Sequence, residues 1–154
     1  MKANNKLILL ASAVLLVVAG GLVVAQQQDA GAKMLVYKSP TCGCCSKWVD
    51  HMKSAGYEVE TRDVNDLTAI KTQYGVQRTF SSCHTALIDG YIVEGHVPAD
   101  QVKRLLEERP AVAGLAVPGM PIGSPGMEGP RPEAYDVLAF NKDGTTAVFA
   151  HITP

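Results

Sequence analysis

An excess of positive charge is absent from this chain of 154 residues, in which 14 lysines and arginines stand against 15 acidic residues for a formal net charge of −1. No basic surface is available to follow a phosphate backbone, so nucleic-acid binding is excluded as its business. Charged residues make up only 19% of the chain, below the quarter or so usual in globular sequences. Internal repeats are missing, and so are long uncharged runs free of proline, with one exception at the N-terminus. Cysteine is scarce at four residues, and an apolar content of 47% supports the core of one ordinary domain without covalent staples.

That proline-free uncharged run is Leu7 to Ala25, preceded by Lys2 and Lys6. A basic start, an apolar stretch and the small residues of Val23-Val24-Ala25 before a polar Gln26 form the pattern of a targeting segment with a cleavage site. Residues 1–25 are therefore expected to be a signal peptide. An apolar run of about 19 residues is also near the length that spans a bilayer, so an uncleaved anchor is the alternative. Either outcome puts the body of the protein in the periplasm, with the membrane touched only through the N-terminal segment.

Residues 26–33 read as a linker, and Met34 to Lys38 as a compact strand. Cys45, Trp48, Val49 and Met52 recur at helical spacing, which predicts a helix from about Cys45 to Ala55, stopped by Gly56. Tyr57 to Val64 alternates as a strand. Asp66 is placed to cap a helix running to Gly75. Thr85–Ile88 and Tyr91–Val97 flank Asp89-Gly90, a hairpin turn signal. Pro98 suits the first turn of a helix carrying Val102, Leu105 and Leu106, which Pro110 closes. From Pro110 to Pro132 proline and glycine recur so often that no helix or strand is expected. A last hairpin, Tyr135–Asn141 and Thr145–His151, ties that stretch at both ends, and a tethered loop can lie across a site.

Three cysteines, Cys42, Cys44 and Cys45, fall within four positions at the expected start of the first helix, and the fourth is Cys83. Cys42 and Cys45 have the C-x-x-C spacing that allows either a disulfide or chelation of one metal, and a helix N-terminus favours thiolates. A dithiol exchange site needs only an attacking and a resolving thiol, so an adjacent Cys44 invites wrong pairings. A metal cluster has use for every sulfur. Purely structural bridging and a tetrahedral zinc site are the competing readings, although zinc sites typically divide their ligands into two separated pairs. Soft thiolate and thioether ligands select copper(I), which unlike zinc has a second accessible oxidation state. Met120 and Met127, each beside a glycine in the tethered loop, are the thioether candidates, against ordinary gap filling by a flexible side chain.

The stretches Tyr37 to Cys45, Ser82-Cys83-His84-Thr85-Ala86, Asp89-Gly90-Tyr91, Glu94 to Ala99 and Gly114 to Pro121 resemble the CopG family of periplasmic copper-resistance proteins over nearly all of the chain after residue 25. That resemblance implies an α/β, thioredoxin-like domain over 34–110 and a C-terminal extension over 111–154, a Pro/Gly-rich loop and β-hairpin that help hold metal. It implies copper at the C-x-C-C motif and a role in interconverting copper oxidation states during detoxification. It also places Cys83 and His96 opposite the three clustered sulfurs. His84, one position on, would point away if the strand has begun, and His51 and His151 read as surface histidines. Ordinary thioredoxins carry a proline just before the third strand, and Val76 to His84 contains none, which puts disulfide exchange with protein substrates in doubt.

The expected function is thus a copper-binding redox protein, with Cys42 and Cys45 as the redox pair. Cys42, Cys44, Cys45, Cys83, Met120, Met127 and His96 are the ligand candidates for more than one copper ion. Periplasmic copper-efflux components are the candidate partners of a monomer. A thioredoxin-type oxidoreductase and a passive copper chaperone are the alternatives.

Overall fold

The computed structural model describes residues 32–153; the expected signal peptide and most of the expected linker lie outside them. Seven strands form one mixed sheet in the order β2-β1-β3-β4-β5-β6-β7. They are β1 Lys33–Lys38, β2 Glu58–Asp63, β3 His84–Ile88, β4 Tyr91–Glu94, β5 Gly114–Ala116, β6 Tyr135–Phe140 and β7 Thr146–Ile152. Three helices are described: α1 Gly43–Ser54, α2 Leu67–Tyr74 and α3 Ala99–Glu108. This is the α/β class expected from the sequence.

The first half is a β-α-β crossover, with β2 parallel to β1 and α1 between them. Helix α1 buries Cys45, Trp48, Val49 and Met52, the residues whose spacing marked it, against Met34 and Val36 of β1 and Ala86 and Ile88 of β3. Each such apolar side chain contributes about 1.5–3 kcal/mol on leaving water. The indole Nε1 of Trp48 donates to Val97 O at 2.8 Å, so the helix that starts with the cysteines is tied to the segment that follows His96. Asp66 caps α2 as expected, accepting from Thr68 N at 2.9 Å and Ala69 N at 3.3 Å. Asp89 and Gly90 both take positive φ, 48° and 85°, in the two-residue turn between the antiparallel strands β3 and β4.

Three expectations are corrected. Helix α1 starts at Gly43, two residues early, because Cys42 rather than a later residue serves as its N-cap. A strand does form in the Pro/Gly-rich region: β5 is parallel to β4 and antiparallel to β6. The apolar triplet Gly114-Leu115-Ala116 is wholly buried between them, and a Cβ on Gly114 would sit 1.9 Å from Ile92 O. Glycine here is the condition for close pairing, not a strand breaker. Finally, His51 is not a bare surface residue. Its Nε2 accepts from Ala99 N at 3.1 Å, and so it caps α3, whose own N-cap residue, Pro98, makes no side-chain bond.

Candidate metal centre

The site grows from the N-terminus of α1. The Cys42 sulfur accepts from Cys45 N at 3.3 Å, which puts it on the helix axis where unpaired N–H groups favour negative charge. Cys42 and Cys45 are joined as a disulfide, and Cys44 and Cys83 are free. The Cys44 sulfur lies 3.4 Å from that of Cys42 and 4.0 Å from that of Cys83. The Cys45 sulfur approaches Cys83 O at 3.5 Å; a disulfide sulfur has no proton, so this is a contact that becomes a hydrogen bond only on reduction. All four sulfurs lie within 4.8 Å of one another. Once the disulfide is reduced, that spacing suits soft metal ions bridged by shared thiolates.

Two imidazoles back the sulfur of Cys83. The Nδ1 of His96 is 2.7 Å from Pro125 O, and a carbonyl can only accept, so Nδ1 carries the proton. Its Nε2 therefore presents a lone pair, 2.9 Å from the Cys83 sulfur, and accepts a hydrogen bond from the thiol in the metal-free state. Pinning the far nitrogen to a carbonyl is how proteins orient ligating histidines. His84 departs from expectation: its Nδ1 is 3.4 Å from the Cys83 sulfur, and Cys83, His84 and His96 form a second group of candidate ligands. The alternation rule fails because His84 is the first residue of β3 and its fully buried ring packs on Trp48, centroids 4.3 Å apart. Its Nε2 has no hydrogen-bond partner among the described residues.

Burial sets the protonation states. It pushes the Cys83 thiol up to about 12, helped by the neighbouring Cys44. It holds His84 well below its ordinary value, with the nearby His96 and Lys71 acting in the same direction, and lowers His96 as well. At neutral pH the centre thus offers neutral imidazoles and a Cys83 thiol whose proton a metal must displace.

The tethered loop closes over this centre. A Cβ on Gly126 would stand 2.6 Å from Cys44 O and 3.0 Å from Trp48 N, and its φ is +87°, so the loop backbone lies directly on the first turn of α1. Glu128 Oε1 accepts from Gly126 N at 2.6 Å, and Ser124, fully buried, donates to Pro121 O at 2.7 Å. Of the thioether candidates, Met127 is half-buried and Met120 is 52% exposed. The sequence reading missed Pro125, whose carbonyl orients His96, and Gly126; a backbone carbonyl and a bare Cα have no side-chain signature. His151 is exposed as expected, paired with Asp136 on the sheet edge.

Four sulfurs and two neutral imidazoles gathered at a helix N-terminus on a mixed sheet make a sulfur-rich centre of the class that holds soft metal ions. Comparison with known proteins agrees. Residues 80–127 match a family model described as a protein of unknown function, DUF411. No curated protein matches the chain. Two solved structures, form 1 and form 2 of the copper resistance protein CopG, are each 42% identical with a TM-score of 0.75, over 80% of this chain and 99% of theirs. The chain belongs to the CopG family of copper resistance proteins.

Proposed function

We propose that this protein is a periplasmic copper-binding redox protein of copper resistance, which holds more than one copper ion and interconverts Cu(I) and Cu(II). The observation that carries the proposal is the gathering of four cysteine sulfurs within 4.8 Å, two of them joined as a disulfide with a third 3.4 Å away. Cys42, Cys44, Cys45 and Cys83 serve as thiolate ligands, with His96 Nε2 as a nitrogen donor and Met127 and Met120 as thioethers of the covering loop. The Cys42–Cys45 couple is the electron store. Two Cu(II) ions and the two thiolates give two Cu(I) ions and the disulfide; the reverse step breaks the S–S bond and oxidises two Cu(I). Copper in either state is the substrate, and efflux components of the envelope are its destination. The protein acts as a monomer outside the cytoplasmic membrane, residues 1–25 having exported it.

Reduced protein titrated anaerobically with Cu(I) binds more than one ion, and Cys44→Ser and Cys83→Ser each weaken binding. Equal binding by those variants and the parent sinks the site. Reduced protein mixed with Cu(II) loses two thiols per two Cu(I) formed; copper that stays bound without changing state marks a passive chaperone instead. The disulfide itself favours a second reading, thiol-disulfide exchange with Cys42 as nucleophile and Cys45 as resolving thiol. Insulin reduction by metal-free protein that survives loss of Cys44 and Cys83 would establish it.

A further inference from the structure

Glu94 is completely buried, yet it contributes nothing to the metal centre directly. Its Oε1 accepts from Lys71 Nζ at 2.5 Å, and its Oε2 from Thr85 Oγ1 at 2.7 Å. Lys71, also buried, donates in turn to Thr85 Oγ1 at 3.0 Å. The remaining donor to the carboxylate is a backbone group: Ser82 N, 2.6 Å from Oε1. Ser82 precedes Cys83, and its own hydroxyl donates to Gly119 O at 2.5 Å in the loop that covers the site.

A buried ion pair is poor evidence of a stabilising role, since desolvation offsets most of the attraction and apolar substitutes of similar volume are commonly neutral or better. What this pair does provide is a fixed, fully satisfied acceptor for one N–H at the point where the chain enters β3. Cys83 needs such an anchor. Its sulfur must stand 4.0 Å from Cys44 and 2.9 Å from His96, and it is carried by a loop, Ser81-Ser82-Cys83, outside any helix or strand. Metal ligands are held in register by groups bonded to their surroundings, and losing such a partner typically weakens metal binding about 10–100-fold.

We infer that Glu94, held in place by Lys71 and Thr85, is a positioning residue for Cys83, fixing the thiol in the centre through the N–H of Ser82. The copper half of the inference rests on the proposed function; the placement of the thiol does not. Two double variants separate positioning from bulk stability. Lys71→Met with Glu94→Gln removes both charges but leaves an amide oxygen to accept from Ser82. Lys71→Met with Glu94→Leu removes the charges and the acceptor together.

With both folded by thermal unfolding, the glutamine variant keeps parental Cu(I) affinity, and the leucine variant binds about tenfold more weakly. In metal-free protein, alkylation of Cys83 mapped by mass spectrometry is several-fold faster in the leucine variant alone. Ser82→Pro deletes the donor with the ion pair intact and reproduces both changes, whereas Ser82→Ala, which loses only the bond to Gly119, does not reproduce the alkylation change. Equal alkylation rates in the two double variants, or in Ser82→Pro and the parent, overturn the inference. A protein that binds no copper yet shows the alkylation difference refutes the proposed function and leaves the positioning role standing.

Discussion

The imidazole of His96 faces the sulfur of Cys83 at 2.9 Å with its lone pair because its other nitrogen is committed to Pro125 O. One ring thereby links β4's exit, the loop carrying Cys83 and the C-terminal loop. His96→Phe keeps an aromatic ring beside His84 but removes the nitrogen donor and the bond to Pro125. Cu(I) affinity, measured by competition with a chromogenic chelator, is expected to fall at least tenfold. An unchanged affinity would remove His96 from the ligand set.

The close seat of Gly126 on α1 leads to a second expectation. In Gly126→Ala the new methyl group meets Cys44 O and Trp48 N at sub-contact distances, on a backbone with φ of +87°. The strain costs about 1–3 kcal/mol, visible as a lower melting temperature. It also lifts the loop from the cysteines, so bound Cu(I) transfers faster to a competing chelator than from the parent.

Acid should weaken the metal-free fold in a window that the histidines define. Burial depresses His84 and His96 below their ordinary value of 6.5. The unfolded chain therefore takes up protons first as pH falls. Their stabilising contribution is whole above about pH 6.5 and is lost as pH drops below it toward the folded values. Urea unfolding followed from pH 7.5 to 5 is expected to approach a slope of about 1.4 kcal/mol per pH unit for each histidine left neutral in the fold. His84→Phe, which keeps the stack on Trp48, should flatten that slope; an unaltered slope would show that His84 takes no part.

His51 bridges α1 and α3 through one hydrogen bond to Ala99 N. His51→Ala leaves the start of α3 without a side-chain cap and should cost about 1 kcal/mol of unfolding free energy. The metal centre is elsewhere, so copper affinity is expected to hold. Loss of affinity comparable with that of the His96 variant would mean that the α1–α3 junction controls the site.

Periodicity carried much of the fold. Trp48, Val49 and Met52 repeat along one helix face and are buried on it; Asp66 and Asp89-Gly90 mark a cap and a turn by local chemistry that needs no tertiary partner. The thiol cluster was legible for the same reason, three of its members being nearly adjacent at a helix start. β5 was illegible because three residues between glycines and prolines become a strand only when β4 and β6 flank them. His84 and His51 were misplaced because each is defined by a residue far along the chain: Trp48 for one and Ala99 for the other.

By itself, then, the sequence determined what short-range forces decide: the helix beneath the cysteines, the turns, the apolar faces and the soft-metal chemistry of a C-x-C-C motif. Only the tertiary structure decided which atoms meet across long loops. Cys83 reaches Cys44 from 39 positions away, His96 finds the carbonyl of Pro125 from 29, and Glu94 finds the N–H of Ser82 from 12. Such contacts depend on sheet order and on backbone groups identical in every residue. No local pattern encodes them, because their energy is realised only after the whole sheet has closed.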